Sequence, residues 1–102
     1  MLMKSKRWKS KKWTDEARDQ PCTMRLIGHC NGNPETTVFA HANGAGMGMK
    51  TDDYNGADMC SDCHDAFDGR VDSHHSKPQL LKAFENARYE TIVNRLERGI
   101  VK

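Results

Sequence analysis

Two cysteine pairs, Cys22-x7-Cys30 and Cys60-x2-Cys63, constrain this chain more than any other feature. The chain has 102 residues and only 36% are apolar, with Leu, Ile, Val and Phe sparse before residue 80. A core that thin is marginal for one domain of this length, so a metal or disulfide staple is expected. The leading residues MLMKSKRW contain no apolar run of the signal-peptide kind. No stretch approaches the roughly 20 apolar residues that span a bilayer. The expected setting is therefore the cytosol, with no membrane partner, where thiols stay reduced and paired cysteines hold metal.

The ion that fits four thiolates in two hairpin-like pairs is a structural Zn²⁺ bound by Cys22, Cys30, Cys60 and Cys63. Its apparent binding energy, roughly 10–16 kcal/mol for structural zinc in small domains, can stand in for the missing core. Cys60-Ser-Asp-Cys63 should open a helix, whose positive end favours thiolates. A first pair on a turn and a second at a helix N-terminus is the treble-clef arrangement. Two other readings of these cysteines are weaker. Cys60-Ser-Asp-Cys63-His64 matches a haem c attachment pattern, but that needs export and leaves Cys22 and Cys30 unexplained. A thioredoxin-like redox pair needs a βαβ context that is absent.

Net charge is only +2, unevenly spread. Lys4, Lys6, Arg7, Lys9, Lys11 and Lys12 precede any acidic residue, with Trp8 and Trp13 interleaved. Residues 1–13 thus read as a flexible basic lead. It is either a DNA-binding arm that neutralises phosphates while an indole stacks on a base, or a solvated, frayed terminus. The tryptophans favour the first. Residues 14–102 form one domain, with a zinc knuckle over 22–68 and a C-terminal helix over 77–98.

Within that domain Thr14 can cap a short helix over Asp15–Asp19, closed by Pro21. Cys22–Ile27 alternates enough for a short strand, and Gly28 allows the turn that returns Cys30 to Cys22. Thr36–His41 is the best strand signal, being rich in β-branched and aromatic residues. Residues 42–53 are Gly-rich and read as a loop. A helix should run from Cys60–Ser61 to Phe67, before Gly69. Ser76 and Pro78 start the last helix, whose Leu80, Leu81, Phe84, Ala87, Ile92, Val93 and Leu96 recur at helical spacing until Gly99. This amphipathic helix should cover the knuckle, and it could equally form a homodimer interface. The fold class is α+β.

A second constellation carries chemistry. On a helix opened by Cys60, His64 and Asp68 lie one turn apart on one face and can share a divalent cation. Asp65 reads as a solvated helix residue. His41 ends the strand before the Gly-rich loop, and strand and helix crossing on one knuckle would set it opposite that pair. This ββα-metal arrangement serves phosphodiester hydrolysis: a neutral His takes a proton from water while a cation stabilises charge on the phosphate. His74 and His75 read as surface residues or as an added ligand or phosphate contact, and His29 as pointing to solvent.

The pattern Cys22…Cys30…Ala40-His41…Cys60-Ser-Asp-Cys63-His64-x-x-x-Asp68 resembles HNH endonucleases of the zinc-knuckle type. More narrowly, Cys30-Asn-Gly-Asn-Pro-Glu-Thr, Val38-Phe-Ala-His41, Lys50-Thr-Asp-Asp53 and Cys60–Arg70 resemble the YbcO-like nucleases of phages and prophages, over about residues 10–100. The resemblance implies a DNA nuclease, with branched or otherwise structured DNA as one candidate substrate, acting in the bacterial cytoplasm with Mg²⁺ or Mn²⁺. It makes His41 the general base and His64 and Asp68 the catalytic-metal ligands. Asp53 or Asn55 would orient His41, with Asp53 the better match to the narrower family, and Arg70 would clamp the scissile phosphate or pair with Asp72. Most HNH proteins carry a metal-binding Asp or His before the base, where this chain has Ala40. That departure supports the competing expectation, a non-catalytic zinc-finger DNA-binding or adaptor module.

Overall fold

The computed structural model describes residues 8–42, 52–72 and 74–100. The elements run α1 (Lys11–Asp15), a 3-10 turn (Pro34–Thr36), β1 (Val38–His41), β2 (Gly56–Met59), α2 (Ser61–Phe67) and α3 (Lys77–Glu97). β1 and β2 pair antiparallel, Val38 opposite Met59 and His41 opposite Gly56. α3 packs on β2 and α2 on β1, giving a small α+β fold.

α1 is capped four residues earlier than expected. Ser10 Oγ accepts from the Trp13 N–H at 3.1 Å, while the Thr14 hydroxyl donates back to the Lys11 carbonyl at 3.1 Å and so lies inside the helix. Residues 8–13 are accordingly not a flexible lead. Trp13 is a buried core residue, and Trp8 sits edge-on to Trp13 and Tyr54 at 5.4 and 5.7 Å. Lys11 is paired with Asp15 at 2.5 Å. Lys9 and Lys12 are exposed, whereas Lys4, Lys6 and Arg7 lie outside the described residues. So does most of the Gly-rich loop, 43–51.

Cys22–Ile27 is no strand. The Arg25 N–H points to Cys22 Sγ and the Leu26 N–H to Cys63 Sγ, both at 3.4 Å, and Arg25 has a left-handed φ of 47°. Backbone donors spent on sulfur cannot build a sheet ladder. β1 is also shorter than expected, because Asn33 Oδ1 accepts from the Glu35 N–H at 3.0 Å and winds Pro34–Thr36 into the 3-10 turn. β2, Gly-Ala-Asp-Met, has no strand propensity of its own. It forms because all four residues are buried between β1 and α3.

Gly56 is required there. A Cβ at this position would lie 2.5 Å from the Ala40 carbonyl oxygen and 2.6 Å from Phe39 Cε2. In the central cluster Met24, Leu26, Ala57 and Met59 meet Ala66, Phe84 and Ala87. Phe67 stacks on Phe84, ring centroids 4.8 Å apart.

α2 and α3 start where expected. Cys60 caps α2 with its own sulfur, and Ser76 and Gln79 form a reciprocal capping box on α3. The expected apolar stripe of α3 is corrected, however. Phe84, Ala87, Thr91 and Arg95 are buried, while Leu81 and Leu96 are more than half exposed. The cause is Asp58 on β2, whose carboxylate takes a two-pronged ion pair from Arg95 at 2.6 and 2.8 Å. Arg95 Nε also donates to the Trp13 carbonyl at 2.9 Å, and the Thr91 hydroxyl accepts from the Asp58 N–H at 3.0 Å. A buried charge must have its partner, and meeting that need turns the helix so that a polar row faces inward.

Candidate metal centre and nuclease site

The knuckle turn folds because the Gly28 φ of 86° lets the His29 and Cys30 N–H groups both return to the Leu26 carbonyl, at 3.0 and 2.9 Å. That turn carries Cys30 beside Cys60, and the sulfurs of Cys22, Cys30, Cys60 and Cys63 all lie within 4.8 Å of one another. The Cys30–Cys60 separation is 3.9 Å. A tetrahedron with Zn–S bonds of about 2.3 Å has edges of about 3.8 Å, so the four atoms suit zinc. Four thiolates this close cannot coexist without a cation. The hydrogen bond from Cys63 holds the Cys22 thiol down to about 4, while the Cys63 thiol is pushed up by that same partnership. Burial also pushes the Cys30 thiol up.

Two pairs of polar side chains flank this centre. On β1, His41 Nε2 lies 2.9 Å from Asp53 Oδ1. The other Asp53 oxygen accepts from the Ser10 N–H at 2.7 Å, and the Asp53 N–H donates to the Trp8 carbonyl at 2.8 Å. Asp53 is buried, and the His41 side chain is one-third exposed. A carboxylate only accepts, so Nε2 carries a proton, and in the neutral ring the lone pair is on Nδ1. Asn55 acts on the strand end through its main chain, its carbonyl taking the Ala42 N–H at 2.9 Å.

On α2, His64 Nε2 and Asp68 Oδ2 are 3.0 Å apart. Neighbouring ligands of an octahedral ion with bonds of about 2.1 Å lie about 3.0 Å apart, so this donor pair suits a hard or borderline cation. Arg70 pairs with Asp65 and Asp68, at 3.5 and 3.7 Å, rather than with Asp72. Asp68 and Ala42, the residue after His41, line one cavity of about 640 Å³. Ala40 is buried in the core opposite Ala57, so its position offers the site no ligand.

The family model described as "Putative nuclease YbcO" matches residues 11–98. The chain belongs to the YbcO family. "Putative nuclease YbcO" of Escherichia coli K12 and "Putative nuclease ybcO" of Enterobacteria phage 82 are each 39% identical to it over 92 residues, 84% of this chain and 92% of theirs. A solved structure described as a putative bacteriophage protein from Escherichia coli superposes with a TM-score of 0.73 at 32% identity. It covers 84% of this chain and 98% of that one.

The residues that sequence reasoning missed are supports. Ser10 and Trp8 hold Asp53 through backbone atoms, which leave no trace in side-chain identity. Arg95 was findable, since it continues the helical repeat of Phe84, Ala87 and Thr91. His29 was misjudged as solvent-facing: it is half-buried, and its Nε2 is enclosed without a partner among the described residues.

Proposed function

We propose that this protein is a metal-dependent DNA endonuclease of the HNH type, with its zinc-stapled treble clef as a scaffold. The observation that carries the reading is the Asp53–His41 contact, which turns Nε2 to the carboxylate and leaves Nδ1 as the nitrogen to act as base. The nuclease descriptions of its relatives in Escherichia coli and phage 82 support the reaction class. His64 and Asp68 would hold Mg²⁺ or Mn²⁺, which when bound supplies charge stabilisation to the phosphate and the leaving oxygen. With only two protein ligands the ion would keep several waters, as Mg²⁺ commonly does.

In this reading His41 Nδ1 takes the proton from the attacking water, and Asp53 stabilises the imidazolium that forms. Arg70, exposed beside Asp68, contacts a phosphate oxygen of the scissile strand. Lys9 and Lys12 add sequence-independent attraction to the DNA backbone. The host cytoplasm is the expected site of action, and Zn²⁺ at the four cysteines is structural.

Nicking of supercoiled DNA by zinc-loaded protein, with and without added Mg²⁺ or Mn²⁺, tests this. Cleavage should require the added ion and vanish in His41→Ala, with zinc content and DNA affinity unchanged. The second reading, a DNA-binding or adaptor module without catalysis, draws on Ala40, which supplies no ligand where most HNH proteins have one. Binding of duplex, branched and single-stranded DNA with no cleavage of any of them under Mg²⁺, Mn²⁺ or Ni²⁺ would favour it.

A further inference from the structure

The fold turns Trp13 inward, but beside the candidate nuclease site it leaves another aromatic ring open, Tyr54, which is 42% exposed. Tyr54 stands between Asp53, whose carboxylate meets His41 Nε2 at 2.9 Å, and Asn55, whose carbonyl takes the Ala42 N–H at 2.9 Å. Both neighbours clasp the end of β1, which fixes the Tyr54 backbone next to the imidazole.

The ring itself is also held. Trp8 meets it edge-on, with centroids 5.7 Å apart and planes at 64°. The Asp52 carboxylate, as its hydrogen-bond acceptor, pushes the phenol up, so the ring is uncharged at neutral pH. Asp52 in turn accepts from the Trp8 N–H at 2.6 Å. A lone exposed aromatic is ordinary. One buttressed in this way has little freedom left to lose when a flat partner covers it, which favours binding.

The charges nearby agree. Arg88 of α3 is half-buried, acts on the same phenol with the sign opposite to Asp52, and makes no ion pair among the described residues. The Asp52 and Asp53 carboxylates are meanwhile engaged by the N–H groups of Trp8 and Ser10. An open ring beside a cation without a carboxylate is the combination that holds a single strand, with a base on the ring and a phosphate on the guanidinium. A base inside a duplex is stacked on both faces and has none to offer.

We propose that Tyr54 is a stacking platform for an unpaired nucleobase next to the scissile bond, with Arg88 on a phosphate of the same strand. The preferred substrate is then DNA that carries single-stranded nucleotides. This rests on the reading of His41 as the base of a nuclease, and it adds the class of DNA.

The test is binding of a short single-stranded oligothymidylate and of a blunt duplex to zinc-loaded full-length protein in a His41→Ala background, by fluorescence anisotropy over a series of salt concentrations. The single strand should bind more tightly than the duplex. Tyr54→Ala should weaken single-strand binding about fivefold or more without changing its salt slope. Tyr54→Phe should keep most of the affinity. Arg88→Gln should instead lower the salt slope by about 0.7. If Tyr54→Ala lowers the melting temperature, Tyr54→Leu, which keeps apolar bulk against Trp8, decides in its place. Single-strand affinity that survives loss of the ring, an equal loss in Tyr54→Phe, or tighter binding of the duplex overturns the proposal. Binding is read without cleavage, so a wild-type protein that cuts no DNA would sink the nuclease reading and leave this result standing on its own.

Discussion

Replacing Arg95 by Met isolates the interaction that organises the interior. The Arg95 and Asp58 side chains are 0% and 1% exposed, and their two contacts measure 2.6 and 2.8 Å. Met fills much of the same space but leaves the Asp58 carboxylate enclosed without a counter-charge. Breaking one side of such a pair costs about 3–5 kcal/mol. The lost donor to the Trp13 carbonyl adds roughly 1 kcal/mol. A domain of this size has about 5–15 kcal/mol in total. Arg95→Met should therefore lose about a quarter or more of its stability and melt roughly 16–48 °C lower. Urea unfolding in zinc-replete buffer measures this directly. The second half of the reasoning concerns the double variant Asp58→Leu/Arg95→Met. With neither charge present, most of the loss should return, because apolar replacement of a whole buried pair is close to neutral. A single variant that loses less than about 1 kcal/mol, or a double variant as unstable as the single, would refute the account.

Gly56→Ala should cost about 1–3 kcal/mol, since its methyl meets the Ala40 carbonyl, and thermal melting would show it. Zinc removal by a strong chelator should abolish the cooperative melt, because the four sulfurs within 4.8 Å then repel one another or must take up protons. For the same reason zinc release, followed by a colorimetric chelator, should accelerate as pH falls. Asp53→Asn should lower cleavage by roughly 10²–10⁴-fold with DNA affinity retained, which single-turnover kinetics and a binding isotherm separate. Ser10→Pro removes both the N–H that holds Asp53 and the hydroxyl that caps α1, and it should lower the cleavage rate and the melting temperature together.

Short-range chemistry was legible in the sequence. The caps of α2 and α3, the cysteine cluster and the i, i+4 spacing of His64 and Asp68 all depend on residues close in the chain or on strong ligand identity. What escaped reading depends on contacts far apart. β2 exists only by pairing with β1 and packing under α3, so Gly-Ala-Asp-Met carried no local signal. The strand expected at Cys22–Ile27 failed because sulfur atoms compete for its backbone donors. The basic lead was misread for a related reason: Trp13 sits among lysines in sequence but is buried in the fold, its carbonyl bonded to Arg95. Apolar periodicity placed α3 correctly yet misjudged its facing, because the polar pair outweighed the leucines.

The Arg95 contact to the Trp13 carbonyl spans 82 residues, and its contact to Asp58 spans 37. The consequence concerns synthesis. While the chain emerges from the ribosome, β2 and its carboxylate are complete long before the guanidinium that must enclose it. The sheet bearing His41 cannot close its interior until α3 has nearly all been made. A chain that stops short of residue 95 lacks the guanidinium that pairs with the buried Asp58. Incomplete copies are thereby left open to proteases.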